Sequence, residues 1–382
     1  MESEYTVRLL PEYMLGRYFQ LAALSIYLSN KPNVLENMFS SIERGIPITR
    51  DDLIYLVELV RDLLIEKFNL RKYTPCELLN ALQQDEPRVY LPNDRKRIEN
   101  LIYPTHILTS CPKDRENSYA EVAVSFIEEV LSKKGYVEQK SIDKSPALFE
   151  AMIFSESKLR GQAGSPKKDK ISLNIGVLGL MISYIGRIRA GDKLIEIYVV
   201  PDGSFESLQY STLVYRLLFG GDVRRLKRLS QAITNLKGVS LERALIMAST
   251  IKLIYGKQKD LEKLIKYSLP ERFLTIRIIP EKRPNISGIT PLTFGFVQSL
   301  RNKDLILVLE RLAQETERRG APEELSTAVA ECINFVSESI LTQNKDHIVE
   351  CARVAIPVYL KRDLSEEARA ELANLLRILP HV

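Results

Sequence analysis

The side chains with the clearest capacity for chemistry are cations, and they gather in two places. The first is Lys158-Leu-Arg-Gly-Gln-Ala-Gly-Ser-Pro-Lys-Lys-Asp-Lys170, where Lys158, Arg160, Lys167, Lys168 and Lys170 face the single acid Asp169. The second follows Asp222, where Arg224, Arg225, Lys227 and Arg228 carry no acid among them. Ammonium groups on a flexible loop and guanidinium forks on a helix suit phosphate, whether in a groove or along a nucleic-acid backbone. Arg187 and Arg189 flank a sheet turn and are further candidates, with a structural role equally open.

The wider charge pattern agrees with this placement. Net charge is +5 over 382 residues, yet residues 1–150 carry −4, 151–300 carry +12 and 301–382 carry −3. A cationic middle third suggests a polyanion-facing surface, because solubility alone would not localise the charge.

Other chemistries are poorly supplied. Of the three histidines, His106, His347 and His381, only His106 in a proline-bounded loop has an uncommitted setting. No G-x-x-x-x-G-K-[ST], G-x-G-x-x-G or G-x-S-x-G pattern occurs. Asp192, Glu196, Asp202 and Glu206 lie close enough in sequence to serve a metal-dependent nuclease, although a strand's polar face gives the same letters. Cys76, Cys111, Cys332 and Cys351 show no C-x-x-C pairing and are expected to be buried free thiols. No catalytic residue, metal or cofactor is assigned. No apolar run reaches the roughly 18 residues that a membrane span needs, so no membrane partner is expected.

The elements that must position the cations can be drawn from periodicity and caps. A buried helix is expected from Pro11 to Leu28, and a second after Thr49, with Asp51 and Asp52 in its first turn. Thr74-Pro75-Cys-Glu77 is a capping box with proline at the first helical position. A helix from Ser118 to Lys134 follows, after a proline-rich stretch in which Arg95-Lys96-Arg97 marks a short helix. The glycines at 176 and 179 fit close backbone approach, a strand bulge or tight helix packing. Lys193 to Asp202 reads as a strand, with Arg272 to Ile279 as its partner. Pro280 to Pro291 reads as a linker. Four helices are expected beyond it, Asn302–Arg319, Pro322–Leu341, Asn344–Lys361 and Ser365–Leu379, with Pro357 kinking or shortening the third.

The expected fold is therefore α+β and predominantly helical, with a small central antiparallel sheet and a C-terminal helical bundle. The expected organisation is a helical N-terminal region over 1–156, a basic central region with a small sheet and helices over 157–284, and the bundle over 285–382.

Taken in order, the helical N-terminal region, the segment Asn174-Ile-Gly-Val-Leu-Gly179, the strand Leu194-Ile-Glu-Ile-Tyr-Val-Val-Pro-Asp202 and the helical tail resemble the large subunit of archaeal type I-A CRISPR interference complexes (Cascade). The resemblance is sharpest between Leu173 and Asp202 and covers the rest of the chain only as architecture. It implies a cytoplasmic, non-catalytic subunit of antiviral defence that contacts guide RNA and target DNA. Such subunits help recognise the protospacer-adjacent motif, and they associate with other Cascade subunits and a helicase-nuclease. Base pairing reads the sequence in such systems, while protein reads the short motif and the backbone. The resemblance places none of the family's motif-reading residues on this chain, so the nucleic-acid-binding candidates rest on charge. Two alternatives stay open: a metal-dependent nuclease or other nucleic-acid enzyme, and a helical scaffold that binds no nucleic acid.

Overall fold

The computed structural model describes residues 5–39, 45–84, 87, 92–152, 168–190, 193–219, 236, 238–239, 272–280, 284–292, 303–318, 320–342 and 344–381. Among them the protein is predominantly helical α+β, with fourteen α-helices and small antiparallel sheets. No helix among these residues is long and apolar enough to cross a membrane. The chain divides into two compact units, Met1–Arg216 with Arg272–Pro291, and Leu217–Glu271 with Leu292–Val382. The main sheet belongs to the first of these units, where β-structure packs with the N-terminal helices.

The first unit is built around two buried helices, α1 (Leu15–Ser29) and α9 (Lys170–Ser183). Nearly every side chain of α1 is buried, as its apolar and aromatic letters all round require. The residues of α9 from Ile171 to Ser183 are all buried too. The glycines of α9 are explained by helix packing, one of the three readings open from sequence. A β-carbon at Gly179 would lie 1.7 Å from the Phe19 carbonyl oxygen, and one at Gly176 would lie 2.7 Å from the Phe149 ring. Gln20, fully buried in this crossing, accepts from Leu10 N (2.8 Å) and donates to the carbonyls of Arg8 and Ser172 (both 3.0 Å). A buried amide so satisfied avoids the desolvation penalty of an unpaired one.

Around this pair lie α2 (Pro32–Phe39), α3 (Arg50–Phe68), α4 (Pro75–Gln84), α5 (Pro92–Glu99), α6 (His106–Thr109), α7 (Tyr119–Ser132), α8 (Ala147–Glu150) and α10 (Phe205–Phe219). Short strands β1 (Tyr5–Val7) and β2 (Ile46–Ile48) pair with each other, as do β3 (Ser141–Ile142) and β4 (Lys168–Asp169). The main sheet runs in the order β5 (Tyr184–Ala190), β6 (Lys193–Pro201), β7 (Phe273–Pro280) and β8 (Pro284–Leu292). The expected partnership of 193–202 with 272–279 is present, with Tyr198 opposite Ile276. Tyr119, Phe149, Phe19, Tyr198 and Tyr184 form a chain of ring contacts, with centroids 5.4 to 6.4 Å apart, linking helices to sheet. Lys67 on α3 is 5% exposed and donates to the carbonyls of Met181 and Tyr184, placing a cation at the C-terminus of α9 where the helix dipole favours one.

Helix starts at Thr49 and Thr74 carry the expected caps, the second through one half of its box, and Ser118 adds a cap at the expected start of α7. Thr49 and Asp52 form a reciprocal capping box at α3, Ser118 Oγ accepts from Glu121 N at α7, and Thr74 Oγ1 accepts from Glu77 N at α4.

In the second unit α11 (Lys303–Thr316), α12 (Glu323–Thr342), α13 (Asp346–Tyr359) and α14 (Glu366–Ile378) form the expected bundle. Each packs on its sequence neighbour, and α14 returns to α11. Pro357 lies in the last turn of α13, which ends two residues later. Ser365 caps α14 by accepting from Ala368 N (3.1 Å).

Three expectations are corrected. Residues 284–291, expected within a linker, lie in the outer strand β8, a position that tolerates Pro284 and Pro291 because an edge strand needs only half its backbone donors. The cysteines are not free thiols: Cys76 is bonded to Cys111 and Cys332 to Cys351, with Cα–Cα distances of 5.3 and 4.5 Å. Separations of 35 and 19 residues carry no pairing signal, since tertiary proximity decides which thiols meet. Lys168 to Lys170, expected on a flexible loop, form β4 and the first residue of α9.

Candidate nucleic-acid interface

The cations of the first unit that converge do so in a cleft of about 640 Å³ between α5, the segment 138–144 and the start of α9. Lys96, Arg97, Lys140, Lys144 and Lys170 line it, with Glu138 and Asp143 as the acids and Asn100, Ser141 and Ile142 between them. The volume falls in the range of small-molecule sites, but those are mostly apolar, whereas five cations against two carboxylates suit a polyanion.

Each wall is held from inside. Helix α5 is anchored by Ile98, fully buried, and by Asp94, 3% exposed, whose Oδ1 accepts from Ala147 N at 3.0 Å. Arg97 donates to the Ser145 carbonyl (3.0 Å) and to Glu150 (3.4 Å). Of the cluster 95–97, one side chain thus ties the helix down while Arg95 and Lys96 remain exposed. The opposite wall is fixed by the β3–β4 pairing, Ser141 opposite Asp169 and Ile142 opposite Lys168, and by Lys170 N donating to Lys140 O at 2.8 Å. Lys140 and Lys144 project into solvent from this wall.

The start of α9 forms the inner end of the cleft. Asp169 caps the helix, accepting from Ser172 N (2.9 Å) and Ser172 Oγ (2.6 Å). Lys170 lays its ammonium 3.8 Å from the Tyr103 ring centroid and donates to Ile102 O at 3.0 Å. Burial lowers the Lys170 pKa, with Glu138 and Glu129 opposing the shift. Lys168 is turned inward, 7% exposed, and donates to Glu150 Oε1 at 2.6 Å. Burial alone would raise the Glu150 carboxyl, but hydrogen bonds from Lys168 and Ser145, with the charges of Lys168 and Arg97, hold it below its ordinary value. Asp94 is raised by burial, against the Ala147 hydrogen bond and the charge of Arg97.

Of the candidates drawn from sequence, Lys170 is in this cleft and Lys168 is bound beneath it. Arg187 is half-buried on β5, opposite Glu196 of β6. Arg189 lies on the same strand, opposite Leu194, and its side chain is outside the described residues. Lys158, Arg160, Lys167, Arg224, Arg225, Lys227 and Arg228 also lie outside them.

The carboxylates considered for metal chemistry take other roles. Asp192 is outside the described residues. Glu196 is 1% exposed and accepts from Tyr198 Oη at 2.8 Å. Asp202 Oδ1 accepts from Ser204 N and Oγ (2.8 and 2.6 Å) in the turn before α10, and Glu206 is exposed in the first turn of that helix. Among the described residues, no three His, Cys, Asp or Glu side chains converge to hold a metal ion. His106 is exposed at the start of α6.

Lys140 and Lys144 escape a reading by charge density. They stand in Glu138-Gln-Lys-Ser-Ile-Asp-Lys144, where Glu138 and Asp143 dilute them inside a region of net −4. The cluster 95–97 is a visible signal, but its partner across the cleft lies more than 40 residues away in sequence.

In comparisons with protein-family models, curated proteins and solved structures, nothing matches this chain.

Proposed function

We propose that this chain is a non-catalytic nucleic-acid-binding subunit of an RNA-guided interference complex of the type I-A Cascade kind. It would contact guide RNA and target DNA in the cytoplasm, help recognise the protospacer-adjacent motif, and recruit the helicase-nuclease beside the other subunits. The observation that carries the reading is the cleft lined by Lys96, Lys140, Lys144 and Lys170. The resemblance at Asn174–Gly179 and Leu194–Asp202 supplies the complex; those segments are buried helix and sheet, so they support the scaffold rather than the contact.

A cytoplasmic setting with two disulfides narrows the host. Structural disulfides persist in oxidising compartments, and among intracellular proteins they are frequent in hyperthermophiles.

Affinity purification of the tagged chain from its host, with sequencing of bound RNA and mass spectrometry of bound proteins, tests the assignment. Small RNAs sharing a repeat-derived 5′ end, together with other interference subunits, are the expected result. A chain recovered alone and RNA-free at gentle salt overturns it. On the purified protein, Lys140→Glu with Lys144→Glu should weaken nucleic-acid binding and flatten the log–log salt dependence by about 0.7 to 0.9 for each phosphate left without its cation. An unchanged slope removes the cleft from the interface.

A further inference from the structure

We propose that the cleft receives a single strand and that Tyr136, at its approach, stacks an unpaired base of that strand. The inference rests on the reading of the cleft as a nucleic-acid interface and adds the form of the ligand.

The ring of Tyr136 is 60% exposed, and the Arg50 guanidinium stacks on it at 3.8 Å from its centroid. A single exposed aromatic is ordinary by itself. This one is held in place. Tyr5 Oη donates to Gly135 O at 2.8 Å and accepts from Val137 N at 3.2 Å, so both flanking residues are fixed to β1. Gly135 N bonds to Val130 O (2.7 Å) and Tyr136 N to Lys133 O (3.0 Å), closing α7 tightly. Gly135 has φ +80°, and a β-carbon there would lie 2.3 Å from the Arg50 side chain, so glycine allows Arg50 to reach the ring.

From Tyr136 the chain leads directly into the cleft wall, two residues to Glu138 and four to Lys140. Four residues extend at most ~14 Å, so the Tyr136 backbone lies within that distance of Lys140, outside the lining of the cleft and at its approach. An aromatic platform next to a phosphate-binding groove is how proteins hold single strands, because every base has a face to stack and an intact duplex keeps its bases covered. Arg50 on one face of the ring leaves the other face for a base and adds a cation to the stack.

The test uses the full chain with Tyr136→Trp. The protein contains no tryptophan, so the new indole is the sole reporter of its kind. Titration with a short single-stranded RNA or DNA oligonucleotide should quench its fluorescence, and a blunt duplex of the same sequence should not. Tyr136→Ala should lower single-strand affinity roughly five-fold to a hundred-fold while leaving the salt slope unchanged, and Tyr136→Phe should bind as the parent does. Fluorescence unmoved at saturating oligonucleotide, or Tyr136→Ala binding with parental affinity, overturns the stacking inference. If Lys140→Glu with Lys144→Glu still weakens binding in that case, the cleft reading stands without it. If the charge reversal also binds as the parent does, both fall.

Discussion

Helix α9 serves two regions built on opposite terms. From Ile171 onward it lies against α1 with every side chain buried, and the approach depends on the absent β-carbon at Gly179, while Gly176 makes room for the Phe149 ring of α8. One residue earlier, Lys170 reaches toward Tyr103 and the Ile102 carbonyl at the inner end of a cationic cleft, and Lys168 is bound to Glu150 beneath it. Interior contact in the first region is a matter of shape, so a single atom can break it. In the second it is a matter of pairing, so removing one partner leaves a charge behind. The same helix tolerates both because Asp169 and Ser172 close its first turn where the two regions meet.

The sharpest way to break the contrast is Gly179→Ala. The added carbon meets a backbone carbonyl at 1.7 Å, so α1 and α9 must separate, and the loss should exceed about 3 kcal/mol in urea unfolding. Stability within about 0.5 kcal/mol of the parent would mean that the two helices do not cross this closely. Next in size is Lys168→Met, which leaves Glu150 half-buried with Arg97 as its remaining cation. A loss of about 2 kcal/mol is expected, smaller than for a fully buried pair because Glu150 keeps some contact with water. Adding Glu150→Leu should recover much of that loss, and failure to recover it would assign the effect to packing rather than charge.

The mildest effect belongs to a charge cluster nearer the surface. Burial pushes the Asp52 carboxyl up, but hydrogen bonds from Lys31, Tyr27 and Thr49 overcome it and hold the pKa at about 2, down from 3.8. A depressed carboxylate stabilises the fold above its unfolded pKa, and that stability is lost as pH falls from about 4 through about 2. Discounted for solvent screening, Asp52→Asn should cost about 1 kcal/mol at pH 7 and only a small fraction of that near pH 2, where the folded-state carboxyl is half protonated. Parallel acid-unfolding curves for parent and variant would show that the cluster contributes no such pH dependence.

Local chemistry is the legible part of the fold. Thr49, Thr74, Ser118 and Ser365 announce helix starts because a cap is satisfied within three residues of itself. The strand at 193–201 and its partner at 273–280 are legible for a similar reason, since β-branched runs ending at proline need no distant information. Pro284 to Pro291 misleads because proline signals a break in most settings, and only its place at the sheet's outer edge makes it a strand. The disulfides are hidden from a linear reading because thiols 35 and 19 residues apart meet through helix packing. Charge alone does not assign the lysines. Lys168 and Lys140 look alike in sequence, yet Glu150 draws one inside while the β3–β4 pairing sets the other at the surface. The cleft is therefore a product of long-range contacts, and its cations come from three stretches well apart in sequence, two of them inside the region of net −4.

The outer strands of the four-stranded sheet carry a further consequence. β5 shifts register between Tyr184 and Gly186, and β8 holds prolines at 284 and 291. Neither edge offers an uninterrupted row of donors and acceptors, so neither templates a neighbouring chain. The sheet is thereby protected against edge-to-edge polymerisation.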